Sequence, residues 1–350
     1  MLYKLLAVSK YPVPQGVNIG DYVQALASSQ FYPRVDGFID RDEELSNYDG
    51  EPCKVIMNGW YMHKPKNWPP SSRIDPLFVA FHLNSLAKKE LLSSESLSYL
   101  KQHEPIGCRD LNTLKLLKEK NIDAYFSGCM TLTLGEKYRS DVKEDKVYIV
   151  DPQLNVSFGV GSFFQAIGEI VVHPKDVFAL YGKKQQLKLH QGRNFLKKMI
   201  KTALYYKEYT KIFDRELIMN AIYISQEDKY YSVDLKNDFE RLKEAERLIR
   251  SYSKAKLVIT SRIHCALPCL GLGTPVIYLD RVQDSDTSAC RLGGLKDLFN
   301  AIKVDNGKLQ LDFPISLPIS SVNLPQNSNK WQKYAEALKA RCKEFIKNNN

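Results

Sequence analysis

The chain has 350 residues, of which 44% are hydrophobic and 26% charged, and a formal charge of +10. This is the composition of an ordinary globular protein; no apolar run reaches the roughly 18–20 residues that a membrane helix needs, and no low-complexity tract or internal repeat is present. The length points to two domains, since one core rarely grows beyond about 250–300 residues, and the seven scattered cysteines point to reduced thiols and a cytoplasmic protein.

The N-terminal stretch "MLYKLLAVSKYPVPQG" lacks a signal-peptide core and a small-residue cleavage site, so "YKLLAVS" (3–9) reads as a first strand. "IGDYVQALASSQF" follows with apolar residues at 19, 22, 23, 26, 27 and 31, which is helical spacing, and Asn18 stands at its N-cap. Strands are predicted at "CKVIMNG" (53–59), "LFVAFHL" (77–83), "PIGCR" (105–109) and "DAYFSG" (123–128). Between the last two, "DLNTLKLLKEK" has a helical leucine pattern capped by Asp110.

After the charged segment "SDVKEDK" (140–146), a second series of strands is predicted at "VYIVD" (147–151), "EIVVH" (169–173), "NAIYIS" (220–225), "KLVIT" (256–260) and "PVIYL" (275–279). A long basic helix is expected near 193–216, and residues 183–216 carry a net +7, either a solvated helix face or a surface for an anionic partner such as a membrane. The tail "KWQKYAEALKARCKEFIK" (330–347) is strongly helical and free to pack back across the rest. Alternating strands and helices predict an α/β fold with two Rossmann-like domains of parallel sheets, over 1–143 and 144–325, with a C-terminal helical segment over 326–350.

Ligands of open parallel sheets bind beyond the carboxyl ends of the strands. Four such places hold chemistry. At the start of the first helix, Asn18, Gly20 and Asp21 are either a capped N-terminus with a favourable early acid or a site where Asp21 accepts hydrogen bonds from a sugar hydroxyl. Arg109 ends a strand and is either a structural ion-pair partner or a clamp for a carboxylate or phosphate. Ser261, Arg262 and His264 form a strand-end loop, with a permanent cation beside a group that titrates near neutrality; Pro268 is expected in the first turn of a helix starting near Ala266. Finally, Trp60, His63, Trp68 and His82 crowd one region, either as part of the core or as faces for a sugar, with Trp68-Pro69-Pro70 read as a rigid loop. Cys265 and Cys269 next to His264 lack the paired ligands of a zinc site, so no metal is expected. Neither a P-loop nor a GxGxxG after a strand occurs, "LGLG" (270–273) reads as a helix end, and no nucleic-acid recognition motif accompanies the basic segment.

Three of these stretches, "NIGDYVQALASSQFYPRVDGFIDRDEEL", "GCRDLNTLKLLKEKNIDAYFSGCMTLTL" and "VITSRIHCALPCLGLGTPVIYLD", resemble in order the segments of the polysaccharide pyruvyltransferase family. The resemblance covers most of the chain, although the glycine usual just before Asn is displaced by one in "GVN". It implies a GT-B-like fold with the active site in the interdomain cleft. It also implies phosphoenolpyruvate as co-substrate, no further cofactor, and a pyruvate ketal formed on a hydroxyl pair of a bacterial exopolysaccharide or capsule precursor, lipid-linked or free. On this resemblance the donor residues are Arg109, Ser261, Arg262 and His264, with His264 and Arg262 catalytic. Asn18, Gly20, Asp21, Trp60, His63 and His82 are placed on the acceptor side, in the N-terminal domain. The alternative is a glycosyltransferase of the same fold, whose arginines would hold the diphosphate of a nucleotide sugar.

Overall fold

The computed structural model describes residues 1–8, 17–154, 159–183, 194–227, 235, 237–281 and 292–348. In chain order the elements are β1 (Leu2–Tyr3), β2 (Leu5–Ala7), α1 (Ile19–Ser29), β3 (Phe38–Asp40), β4 (Cys53–Ile56), β5 (Gly59–Tyr61), β6 (Ile74–Leu77), β7 (Phe81–Leu83), α2 (Lys88–Leu91), α3 (Ser94–Gln102), β8 (Ile106–Cys108), α4 (Leu111–Lys118), β9 (Ala124–Phe126) and α5 (Gly135–Tyr138). They continue with β10 (Val147–Val150), α6 (Val160–Val172), α7 (Pro174–Gly182), α8 (Phe195–Tyr209), α9 (Arg215–Asn220), β11 (Ile222–Ile224), α10 (Asp238–Lys254), β12 (Leu257–Thr260), α11 (Ile263–Leu272), β13 (Val276–Arg281), β14 (Asn300–Asp305), β15 (Lys308–Leu311) and α12 (Gln332–Lys347). The result is a mixed α/β protein with several parallel sheets.

The second half builds one six-stranded sheet in the order β11-β10-β12-β13-β14-β15, parallel except for β15. Its central strands are apolar on both faces because both are covered. Tyr148, Val150, Val258 and Val276 point into a core shared with α10 and α11, while Ile149, Leu257, Ile259 and Ile277 point into one shared with α8 and α9. The chain runs from β10 to β11 on one side and then crosses to β12 on the other. In open parallel sheets such a reversal is where a ligand crevice forms, here beyond the carboxyl end of β10.

The N-terminal strands are shorter than the sequence pattern predicts. "YKLLAVS" is split into β1, which pairs with β4, and β2, which pairs with β3. "LFVAFHL" is split into β6 and β7, with Ala80 between them at φ 52°. A residue at positive φ cannot continue a ladder, which alternation alone does not reveal. The resulting ladders β1-β4-β6, β2-β3 and β5-β7-β8-β9 are all parallel.

"EIVVH", predicted as a strand over 169–173, is instead the end of α6. The physical reason is that a short apolar run has the same signature in either state. Val160, Phe164, Ile167 and Val171 upstream and within it recur at helical spacing, and Pro174 at the first position of α7 ends the run. The basic helix expected over 193–216 is two helices, α8 and α9, and residues 184–193 lie outside the described residues.

Among the described residues no helix is long and apolar enough to cross a membrane. The C-terminal α12 packs on the N-terminal half: the Phe126 and Tyr334 rings lie 5.0 Å apart edge to face, and Lys54 Nζ donates to the carbonyls of Phe345 and Asn348 at 3.0 and 2.9 Å.

An ion pair between the buried Asp176 and the exposed Arg215 links α7, α8 and α9. Asp176 accepts from Arg215 Nε at 2.6 Å and from the Tyr206 hydroxyl at 2.8 Å. Chiefly through Arg215, its carboxyl is held below the usual carboxylate range. A depressed carboxylate stabilises the fold above its unfolded pKa and loses that contribution as pH falls through its folded value. Asp176→Asn is therefore expected to destabilise the protein by about 1 kcal/mol at neutral pH, since solvent screens the exposed Arg215. In urea titrations at a series of pH values, the gap from wild type should close toward acid.

Candidate active site

Residues that follow three strands meet beyond β10. Asp151 follows β10, Glu227 follows β11, and Arg262 follows β12. Arg262 Nε donates to Asp151 Oδ2 at 2.6 Å, and its Nη2 donates to Glu227 Oε1 at 2.5 Å. Asp151 is fully buried and also accepts from the Gln226 N–H at 3.1 Å. It takes a positive φ of 46°, a conformation that costs free energy and is concentrated at functional sites. Ser261 Oγ donates to the Asp151 carbonyl at 2.5 Å, and Gln153 Nε2 donates to Ser261 Oγ at 3.3 Å. Burial works against the charge on Arg262, but Asp151 and Glu227 outweigh it and raise its pKa further. One cation held by two carboxylates gives this trio a net charge of −1 when all three are ionised. Arg262 is thus built into the fold as well as placed at the crevice.

His264 lies two residues further on and is 7% exposed. The helix begins earlier than predicted, at Ile263 with Arg262 as N-cap, but His264 itself has φ −84° and ψ 15° and kinks the start. Pro268 therefore sits inside α11 rather than in its first turn. Because a proline has no N–H to give to the residue four before it, it is compatible with the non-helical backbone at His264. Cys265 and Cys269 are buried thiols on this helix, and burial pushes Cys269 well above the ordinary thiol range. Among the described residues no group of three or more His, Cys, Asp or Glu is arranged to hold a metal ion.

The start of α1 docks onto this crevice. Ile19 N–H donates to the Gln226 carbonyl at 2.8 Å, and Asn18 forms a β-bridge with Glu227. Asn18 Oδ1 accepts from Gly20 N–H at 3.0 Å, which is the predicted N-cap. A Cβ on Gly20 would lie 3.2 Å from His264 Cβ and 3.3 Å from its Nδ1. Glycine here lets the helix end and the imidazole approach. Asp21 follows, and its Oδ1 accepts from Gln24 Nε2 at 3.2 Å; Gln24 Oε1 in turn accepts from Arg109 Nη1 at 3.3 Å. Gly20 and Gln24 are one helical turn apart, about 6 Å of rise. His264 and the buried Arg109 therefore lie along one face of α1, with Asp21 beside it and bonded to Gln24.

A second shelf adjoins this face. Arg41, just after β3, is buried; its guanidinium pairs with Asp42 at 3.2 Å and lies 5.4 Å from the centre of the Trp60 ring. Trp60 and His63 rings are 4.4 Å apart, and His63 N–H donates to Asp42 Oδ1 at 2.5 Å. Burial holds His63 below the ordinary imidazole range; Asp42 and Asp21 oppose that shift and Arg41 adds to it. A neutral imidazole at neutral pH is an acceptor for a hydroxyl proton.

Two aromatic-region residues have other places. Trp68 is core rather than an open loop face: it is 8% exposed, packs edge to face on Tyr61, and donates Nε1–H to Ser96 Oγ at 2.8 Å. His82 is the cross-strand neighbour of Trp60 but is 1% exposed, with Nδ1 2.6 Å from Asp110 Oδ2. Asp110 also caps α4 by accepting from Thr113 N–H at 2.8 Å.

The structure thus gathers Asn18, Gly20, Asp21, Arg109, Ser261, Arg262 and His264 around the start of α1, with Trp60 and His63 on the adjoining shelf. The sequence reading missed Gln24, Arg41, Asp42, Asp151 and Glu227. Arg41, Asp151 and Glu227 each follow or end a strand-like run, so the strand-end rule was a usable signal for them; Gln24 carries none.

A family model described as polysaccharide pyruvyl transferase matches residues 18–281. No curated protein matches the chain. Among solved structures, a functionally uncharacterized protein from Klebsiella pneumoniae subsp. pneumoniae NTUH-K2044 is similar at 14% identity, over 83% of this chain and 86% of that one, with a TM-score of 0.39.

Proposed function

The chain belongs to the polysaccharide pyruvyl transferase family, and from that premise we propose that it transfers a pyruvyl group from phosphoenolpyruvate to two hydroxyls of one sugar, forming a ketal and releasing phosphate. The supporting observation is the face of α1, where Gly20 admits His264 and Gln24 reaches both Arg109 and Asp21. In this reading the fold is GT-B-like, with Rossmann-like domains over 1–143 and 144–325 and the segment 326–350 returning across them.

The chemistry assigns roles. The donor carries a carboxylate and a phosphate, and Arg109 holds one of them. Arg262 offers the leaving phosphate its Nη1 edge, since Nε serves Asp151 and Nη2 serves Glu227. His264 delivers a proton to the methylene carbon as a sugar hydroxyl attacks the neighbouring carbon; the second hydroxyl then displaces phosphate. Asn18, Gly20, Asp21, Trp60 and His63 form the acceptor side, with Asp21 accepting from sugar hydroxyls. His82 acts behind them, fixing Asp110 and hence the strand end that carries Arg109. The acceptor is a lipid-linked or free oligosaccharide precursor of an exopolysaccharide or capsule, met at the cytoplasmic face, where the basic segment 183–216 contacts anionic membrane.

Mass spectrometry of a lipid-linked acceptor after incubation with phosphoenolpyruvate tests the reading: the product should gain the mass of one pyruvyl ketal. A thermal shift with nucleotide sugars and none with phosphoenolpyruvate would favour the glycosyltransferase alternative. Arg109→Met should raise KM for phosphoenolpyruvate about 10–100-fold, the loss of one or two hydrogen bonds to a charged group. Steady-state kinetics at saturating acceptor checks this, and an unchanged KM would remove Arg109 from the donor site.

A further inference from the structure

The helix α6 is apolar but hardly buried. Its sequence "VGSFFQAIGEIVV" holds a single charged residue, Glu169, and of its side chains only that of Ala166 is buried. Val160, Phe164, Ile167 and Val171 recur at i, i+4, i+7 and i+11, one stripe along the helix. Their exposures are 75%, 66%, 39% and 72%. Phe178 on α7 and Phe195 on α8 are also exposed, at 54% and 59%. Soluble monomers rarely leave such a contiguous apolar patch uncovered; where one occurs it marks a contact.

The surroundings of the stripe say which contact. α6 packs along α8, which carries Lys197, Lys198, Lys201 and Lys207 against a single carboxylate, Glu208. Glu208 is paired with Lys211. Lys207 Nζ donates to Gln165 Oε1 of α6 at 3.2 Å, which ties a cation of α8 to the side of α6. An apolar helix face flanked by lysines is the pattern of a helix lying in the plane of an anionic bilayer surface. Two copies of this chain packed face to face would bring the same lysines together, and like charges at close range oppose that contact.

We propose that the exposed face of α6, with the lysines of α8 at its flank, docks on an anionic phospholipid surface by burying Val160, Phe164, Ile167 and Val171 among the acyl chains. This deepens the membrane contact proposed above and rests on that part of the reading, replacing attraction by charge alone with insertion of a defined helix. It does not depend on the donor or the acceptor.

The test is co-sedimentation of the full chain with vesicles of phosphatidylcholine alone and of phosphatidylcholine with phosphatidylglycerol. The variants are the exposed pair Phe164→Ser with Val171→Ser, and the pair Lys197→Gln with Lys201→Gln. Far-UV circular dichroism confirms that each folds. Wild type should bind the anionic vesicles, and each pair of substitutions should weaken binding about tenfold or more. Equal binding by wild type and the Phe164/Val171 pair would overturn the proposal and leave the basic segment as a purely electrostatic contact. No binding by wild type to either vesicle would overturn both. A wild-type dimer in light scattering that the Phe164/Val171 pair converts to monomer, without any change in vesicle binding, would assign the face to a second copy and overturn the proposal.

Discussion

His264→Ala is expected to lower turnover with phosphoenolpyruvate about 10²–10⁴-fold, the usual contribution of one positioned acid–base group, while the protein remains folded. The expectation rests on three features of the site. His264 is placed at a helix start that its own non-helical backbone kinks, and at 7% exposed its ring is confined by its neighbours. It lies against Gly20, at the end of the helix that carries Asp21, so a hydroxyl held by Asp21 is within one turn of the imidazole. And it follows Arg262, which Asp151 and Glu227 hold in place. Near-normal turnover of the variant with the true acceptor would remove His264 from the chemistry. A companion substitution, Asp151→Asn, separates position from proton transfer. It weakens the anchor of Arg262 without touching the imidazole, so it should lower turnover and stability together, whereas His264→Ala should lower turnover with only a small change in melting temperature.

The second large effect is structural. A Cβ on Gly135 would sit 1.9 Å from the Gly271 carbonyl oxygen, and one on Gly271 would sit 2.3 Å from the Leu132 carbonyl oxygen. Both clashes are with backbone, so no side-chain rotation relieves them. Gly135→Ala or Gly271→Ala must push α11 away from the segment Met130–Tyr138, and each is expected to cost at least the 1–3 kcal/mol typical of overpacking, about 3 kcal/mol or more here. Chemical denaturation of the two variants measures this. Because α11 also carries His264, the same displacement should reduce activity in whatever fraction stays folded. A loss below about 0.5 kcal/mol, the range of an uneventful surface change, would show that the two segments do not meet as closely as described. Gly159, by contrast, has nothing within 4 Å of a built Cβ, so alanine there should cost only the fraction of a kcal/mol, about 0.5–1, of a poorer N-cap for α6, which makes it the internal control for steric clash.

The two glycine contacts also show where reading the sequence stops. "LGLG" was legible as a helix end, and Gly273 does close α11 at φ 68°, the left-handed cap that glycine favours. That Gly271, two residues earlier, is needed for a close crossing with Gly135 has no local signal, since its neighbour is 136 positions away in the chain. The same division runs through the site. Asn18 and Asp110 were recognisable as caps because each bonds a backbone N–H only two or three residues on. Arg262 was recognisable as a strand-end cation, but its partners lie 111 and 35 residues away.

What the sequence determined by itself is therefore what depends on neighbours within about one helical turn: the strands at 257–260 and 276–281, the caps, the helical tail, and the set of residue types gathered at strand ends. Its short apolar runs did not determine whether 169–173 is strand or helix, nor where "LFVAFHL" breaks, because period and composition are the same in both cases. Tertiary structure alone decided that β11 and β12 flank β10, which brings Asp151, Glu227 and Arg262 into contact, and that α1 crosses their ends so that Gly20 meets His264 while Gln24 meets Arg109. The physical reason is that buried apolar strands accept any neighbour of similar character, so their order is settled by connections and by packing over the whole chain.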